Sequence, residues 1–165
     1  MTATTSPATG RFLPEQRQRS AVALLVGAVV LVGLVQGGVL SFFYTPLIVG
    51  LSYLSAAAVA GRAGALWAPG LITSCWGVAA LLGLYGVIPG EKAAYLIAGL
   101  IGAGLAVLLR LAAGLAAGPI GIVVSLTAIV LYDNQHVPSW VFNGVTFAAL
   151  LAGWGLWDLR PARRR

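Results

Sequence analysis

Charged residues are scarce in this sequence of 165 residues: they make up 8% of the chain, and only four of them are acidic. Soluble domains carry about a quarter charged residues, so this chain lacks the groups needed to cover a globular surface that faces water. Hydrophobic residues account for 59% of the sequence, and the mean hydropathy is +0.94. Most of the surface is therefore expected to face lipid, which excludes an ordinary soluble domain.

The residue types that carry most catalytic and metal chemistry are equally scarce. Cys75 is the one cysteine and His136 the one histidine, so the sequence offers neither a disulfide framework nor a full set of zinc ligands. The four acidic residues all lie outside the apolar segments, whereas ion-coupled carriers need ionisable groups at membrane depth. The sequence motifs of serine hydrolases, zinc proteases and phosphate-binding loops are missing. We therefore expect no enzymatic activity, no metal and no cofactor.

Basic residues outnumber acidic residues by ten to four, which gives the chain a formal net charge of +6. They lie almost entirely outside the apolar segments, and they do not form a basic helix face with interleaved aromatic residues. Nucleic-acid binding is therefore not expected. The preference for arginine over lysine, together with abundant alanine, glycine and valine, indicates a bacterial protein.

Apolar segments separated by prolines, glycines and charged residues predict six membrane-spanning helices. A hydrocarbon core of about 30 Å needs about 20 apolar residues in each helix. Pro46 and Pro69 suit the first turns of the second and third helices, and the turn Pro89-Gly90-Glu91-Lys92 precedes the fourth. The predicted spans cover residues 21–43, 45–61, 68–88, 93–110, 114–132 and 138–157.

The distribution of arginine decides the number of spans and their orientation. Residues 1–19 are predicted to form a disordered basic arm, residues 20–158 the transmembrane domain, and residues 159–165 a basic tail. Six spans place the arm, Arg62, Arg110 and the tail on one side of the membrane, and Lys92 alone of the basic residues on the other. Five spans would separate the tail from the arm, against the positive-inside rule.

The expected fold is an all-α integral membrane protein of the bacterial inner membrane. It is predicted to be a compact bundle of six transmembrane helices with both termini in the cytoplasm and with no soluble domain. Short loops between the spans make consecutive helices antiparallel neighbours.

Small residues recur at a spacing of four in several spans, which is how helices approach each other closely in lipid. The longest series lies on one face of the fourth span and consists of Ala94, Ala98, Gly102 and Ala106. Two interpretations of this face stay open. It packs inside the bundle, or it docks a second copy of the chain or another membrane protein.

Uncharged polar side chains inside the spans are the second candidate feature. Amides in hydrocarbon need hydrogen-bond partners, which gives most weight to Gln36 and Asn143. These groups either bond between helices or line a polar pathway that opens outward under the loop containing Asp133 and His136. The residues of this candidate pathway are Gln36, Ser52, Thr73, Asn143 and Thr146.

Two functions remain on the sequence alone. The favoured one is a non-catalytic accessory or scaffold subunit that associates with itself or with another membrane protein through small-residue helix faces. The alternative is a channel or facilitator for the transport of a small uncharged solute. The absence of charged residues from the interior of the spans suits both, and the lack of a continuous polar stripe favours the first.

Overall fold

The computed structural model describes residues 14–61, 66–88, 92–109 and 143–159. Five α-helices and no strand occur in these ranges. The fifth predicted span, 114–132, and the loop with Asp133 and His136 lie outside the described residues. The helices are α1 (Pro14–Leu31), α2 (Thr45–Ala60), α3 (Trp67–Leu84), α4 (Lys92–Leu108) and α5 (Gly144–Leu159), the last corresponding to the sixth predicted span.

Helix α1 begins seven residues before the first predicted span, and with the π-helical turn that follows it ends seven residues before the end of that span. It starts at Pro14, within the segment that the sequence analysis assigned to the disordered arm. Proline suits the first helical turn, and Glu15 lies there in a favourable position relative to the helix dipole. A π-helical turn, Val32–Gln36, continues the helix, and the chain then turns at Gly38, whose φ of +73° favours glycine.

The next three helices lie close to their predicted positions. Pro46 lies in the first turn of α2, which ends before Gly61 with its φ of +87°. Helix α3 contains Pro69 in its first turn and ends at Leu84, four residues earlier than predicted. Helix α3 ends there because the chain enters a turn that includes Gly86, whose φ is +68°.

Three helical segments are long and apolar enough to cross a membrane: Glu15–Gln36, Phe42–Ala60 and Trp67–Leu84, with 22, 19 and 18 residues. The apolar part of α4, Ile97–Leu108, and helix α5 are shorter. At 1.5 Å per residue, an 18-residue helix is about 27 Å long, close to the thickness of the hydrocarbon core. The structure therefore confirms an all-helical architecture, with three candidate membrane-spanning helices among the residues described.

The described helices pack side by side in the order α4, α3, α2, α1, α5. Helices α2 and α3 are antiparallel, because Leu47, Gly50 and Leu54 lie opposite Gly77, Ser74 and Gly70 respectively. Helices α1 and α5 are also antiparallel, because Gly155 lies against Ala21 and Gly144 against Val35. The start of α1 and the end of α5 therefore lie at the same end of the bundle.

We name the two ends of the bundle after residues of α1. The Arg17 end contains the starts of α1 and α3 and the ends of α2, α4 and α5. The Gln36 end contains the opposite terminus of each helix. At the Arg17 end, Arg17 Nε lies 3.5 Å from Asp158 Oδ1, and Arg17 Nη2 donates a hydrogen bond of 3.4 Å to the carbonyl oxygen of Trp157. This pair links the first described helix to the last.

Side chains buried between the helices are mostly alanine and leucine. Leu24 and Leu31 of α1 and Leu151 of α5 are fully buried, in one cluster with Ala56 and Ala57 of α2. Large apolar side chains also cover the outside, as with Val29, which is 72% exposed. Because lipid supplies no hydrophobic drive for helix association, close packing of small residues must hold these helices together.

Candidate functional site

The structure brings together two of the five residues of the predicted polar pathway. Gln36 is exposed at the end of the π-helical turn, and Asn143 is exposed immediately before α5. Gln36 Oε1 lies 3.9 Å from the position that a Cβ on Gly144 would take. Gln36 and Asn143 thus lie at the same end of the bundle, with the Gln36 amide beside Gly144, the residue that follows Asn143.

Asn143 acts as the N-cap of α5. Its Oδ1 accepts a hydrogen bond of 3.1 Å from the backbone N–H of Val145, and its carbonyl oxygen accepts one of 3.0 Å from that of Thr146. This arrangement satisfies backbone donors that a helix start otherwise leaves unpaired. Thr146 is half-buried one turn into the helix. The role of Asn143 is therefore at least partly structural.

The other two pathway residues lie away from these amides, and each bonds to its own helix. Ser52 is buried near the middle of α2, and its hydroxyl donates to the carbonyl oxygen of Ile48 at 2.7 Å. Thr73 lies in the half of α3 nearer the Arg17 end, and its hydroxyl donates to the carbonyl oxygen of Pro69 at 2.6 Å. Such bonds to the residue four positions earlier satisfy a hydroxyl inside a membrane helix.

Sequence reasoning did not distinguish these satisfied groups from three that lack a partner. Within the described ranges, the buried side-chain atoms without a hydrogen bond are Thr45 Oγ1, Ser74 Oγ and Trp76 Nε1. All three belong to the α2–α3 pair, and Ser74 lies directly against Gly50. Hydroxyl and indole groups without partners carry a desolvation cost. No sequence signal separates them from the satisfied hydroxyls, because that difference depends on the rotation of each helix.

The α2–α3 interface is too tight to leave a wide passage. A Cβ on Gly50 would lie 2.5 Å from the backbone nitrogen of Ser74, and a Cβ on Gly77 would lie 2.5 Å from Leu47 Cα. The two backbones are therefore in direct contact at these glycines. At the Gln36 end, the hydroxyl groups of Tyr44 and Tyr85 are hydrogen-bonded to each other and close this interface.

The small-residue series on α4 packs within the chain. Ala98, Gly102 and Ala106 are buried, and Ala94 is half-buried. A Cβ on Gly102 would lie 2.7 Å from Ile72 Cα and 2.9 Å from the carbonyl oxygen of Leu71, both in α3. Gly102 of this series therefore lies in close contact with the backbone of α3.

Other small residues remain open toward the outside. A Cβ on Gly104 of α4 or on Gly153 of α5 would meet no atom within 4 Å among the residues that the structure describes. Ala149, one turn before Gly153, is exposed as well. Beside this pair, Trp154 is 45% exposed and its ring packs against Tyr53, with centroids 6.1 Å apart. Helix α5 thus presents a flat, small-residue surface next to an aromatic ring.

Aromatic side chains lie at both ends of the bundle. The Gln36 end holds Tyr44 and Tyr85, and a ring contact there joins Phe42 to Phe147 with centroids 6.4 Å apart. At the Arg17 end, the indole N–H of Trp67 donates to the carbonyl oxygen of Gly61 at 2.9 Å. Aromatic residues at both ends are typical of helices that cross a bilayer, because their rings favour the lipid–water interface.

Within the described part of the chain, no three His, Cys, Asp or Glu residues lie close enough together to hold a metal ion. Cys75 is a free thiol, half-buried in α3. Comparison with known proteins gave no match to any family model, curated protein or solved structure. The proposed function therefore rests on the residues and their geometry alone.

Proposed function

We propose that this protein is a six-span inner-membrane protein. Helices α1 to α4 alternate in direction, so α4 ends at the Arg17 end, whereas α5 begins at the Gln36 end. In the sequence, residues 110–142 follow α4 at one end and precede α5 at the other, and a single crossing would join these two ends. These 33 residues contain the predicted span 114–132 and have room for one crossing, which supports a total of six.

The arginine distribution supports placing the Arg17 end in the cytoplasm. Arg17 and Arg19 lie in the first turns of α1 at that end. In the sequence, Arg62 follows Gly61 at the end of α2, and Arg160 follows the last residue of α5. Lys92, the one lysine, begins α4 at the other end. This asymmetry agrees with the positive-inside rule and favours cytoplasmic termini.

Within the membrane, the proposed role is that of a non-catalytic accessory or scaffold subunit, which associates with itself or with another membrane protein. The observation that carries this proposal is the bonding of Ser52 and Thr73 to their own helices, which commits their hydroxyl hydrogens and leaves only acceptor lone pairs for a solute. Association requires instead small residues that are open to a neighbour. Ala149 and Gly153 on the outer face of α5 meet that requirement.

The test is the oligomeric state of the protein purified in mild detergent, measured by size-exclusion chromatography with light scattering. We expect a homo-oligomer or a complex of fixed stoichiometry, and we expect Ala149→Leu with Gly153→Leu to dissociate it. Leu150→Ile is the matched control, because Leu150 is also exposed on α5 but lies about 100° around the helix from Ala149, so its exchange leaves the small-residue surface intact. A monomer, or a complex that both variants affect equally, would contradict the proposal.

A channel for a small uncharged solute is the second candidate, favoured by the amides of Gln36 and Asn143 at the same end of the bundle. In liposomes, such a channel would accelerate solute flux, and Gln36→Leu with Asn143→Leu would abolish the acceleration. The subunit proposal instead expects no protein-dependent flux. Flux that is present in the native protein and lost in this double variant would establish the channel in its place.

A further inference from the structure

Arg19 lies on a different face of α1 from Arg17, although both belong to the same part of the helix. Arg17 reaches Asp158 on α5, whereas Arg19 is exposed and makes neither a hydrogen bond nor an ion pair with any described residue. The positions that follow Arg19 on its own face, at intervals of three and four, are strongly exposed. They are Val22, Val26 and Val29, which are 50%, 56% and 72% exposed.

Arg19 therefore terminates an apolar stripe that faces outward along α1. From Arg19 to Gln36 the helix rises about 26 Å, so a bilayer that covers this stripe places Arg19 near its interface. An arginine stem can lie along apolar surface while the guanidinium reaches the headgroup layer. When Arg19 is placed in this way, Val22, Val26 and Val29 contact acyl chains. The apolar stripe and the terminal charge together match the two parts of a phospholipid.

Further arginines directly follow, in the sequence, described residues at the same end of the bundle. Arg62 follows Gly61, Arg110 follows Leu109, and Arg160 follows Leu159 in the sequence, and each preceding residue lies at the Arg17 end. The described carboxylates at this end are Glu15, one turn before Arg19 on α1, and Asp158 on α5, which is paired with Arg17. The end therefore has an excess of positive charge that a phosphate group can compensate.

We propose that Arg19 and the stripe of Val22, Val26 and Val29 form a binding site for an anionic phospholipid at the Arg17 end. The guanidinium group donates paired hydrogen bonds to the phosphate, a geometry that a lysine ammonium does not provide. The valines contact one acyl chain. A zwitterionic lipid binds more weakly, because its own cation offsets the phosphate charge. The proposal rests on the membrane placement proposed above, but it is independent of the subunit role.

Native mass spectrometry of the detergent-solubilised full chain measures this binding directly, by titration with phosphatidylglycerol and with phosphatidylcholine. We expect Arg19→Gln to weaken phosphatidylglycerol binding about fivefold, equivalent to about 1 kcal/mol for one arginine, and to leave phosphatidylcholine binding unchanged. Lys92→Gln, at the opposite end of the bundle, is the charge-matched control and should leave both affinities unchanged. Circular dichroism checks that each variant retains its helices.

Two further measurements test whether the lipid binds at Arg19 and whether binding needs the acyl chain. Arg17→Gln removes the link to Asp158 and should keep the preference for phosphatidylglycerol, because Arg17 faces the protein. Inorganic phosphate at millimolar concentration should not displace the lipid, because it lacks the acyl chain that contacts the valines. Equal lipid affinities in Arg19→Gln and the native protein would overturn the proposal. Loss of the preference in Lys92→Gln or Arg17→Gln, or displacement by phosphate, would overturn it as well.

Discussion

Replacing Gly77 by alanine is expected to lower the free energy of unfolding by about 1–3 kcal/mol. The added Cβ would lie 2.5 Å from Leu47 Cα and still nearer to the backbone nitrogen of Leu47. Both atoms belong to the backbone of α2, so a change of side-chain rotamer cannot relieve the overlap. The two helices must move apart, which weakens every contact along their interface. Unfolding of the purified protein in a denaturing detergent, followed by circular dichroism, measures this change.

Gly104→Ala is the matched control for this substitution. It adds the same methyl group within a helix, but at an exposed position where no described atom lies within 4 Å. Alanine favours the helix by up to about 1 kcal/mol relative to glycine, so this variant should be as stable as the native protein or more stable. Equal destabilisation by the two substitutions would show that the close approach of α2 and α3 does not hold the bundle together.

Leu151→Ala is expected to destabilise the protein by about 1–3 kcal/mol, whereas Leu150→Ala should change its stability by less than about 0.5 kcal/mol. Leu151 is fully buried between α5 and its neighbours, while Leu150 is 61% exposed. In lipid, the cost of a truncation comes from lost packing contacts and the cavity left behind rather than from transfer to water. Lipid chains can fill the space beside residue 150, but they cannot reach residue 151.

The same unfolding measurement decides this comparison. The two variants have identical composition and differ only in the face of α5 that they alter, so helix propensity cancels between them. If Leu150→Ala is as destabilising as Leu151→Ala, either Leu151 is not the more tightly packed of the two leucines or a partner covers Leu150. The oligomer measurement proposed above distinguishes those two causes.

The limits of the helices are predictable from this sequence only in part. Pro46 and Pro69 restrict where helices begin, and glycine turns restrict where they end, so the limits of α2 and α3 follow closely from local chemistry. The start of α1 does not, because Pro14 and the polar residues after it are outside the hydrophobic segment. A helix continues beyond the apolar core wherever its backbone can remain hydrogen-bonded, and hydropathy does not detect that extension.

The faces of the helices are harder to predict than their limits. Leu150 and Leu151 are chemically the same residue, and a lipid-facing surface is as apolar as the interior, so no polar stripe marks the outside. The series from Ala94 to Ala106 includes Gly102, which lies against the backbone of α3. Its spacing contained no information on whether the neighbour is α3 or a separate chain, since both contacts need the same small residues.

The candidate polar residues illustrate the same limit. The sequence grouped Ser52 and Thr73 with Gln36 and Asn143 because all four are polar and lie in or near predicted spans. The structure separates them, because a hydroxyl within a helix can donate to the carbonyl oxygen four residues earlier, which it shares with its own backbone N–H. An amide at a helix terminus has a different set of backbone neighbours, which is why Asn143 caps α5 instead.

The most direct test of the membrane arrangement is the labelling of single cysteines by a membrane-impermeant maleimide on spheroplasts. Cys75→Ala removes the one native cysteine, and single cysteines then replace Ser41 and Val87 at the Gln36 end or Glu15 and Leu159 at the Arg17 end, all exposed positions. We expect labelling at residues 41 and 87 without lysis, and at residues 15 and 159 only after lysis. Labelling of residues 15 and 159 from opposite sides of the membrane would contradict the account, because their helices could not then be joined by Arg17 and Asp158.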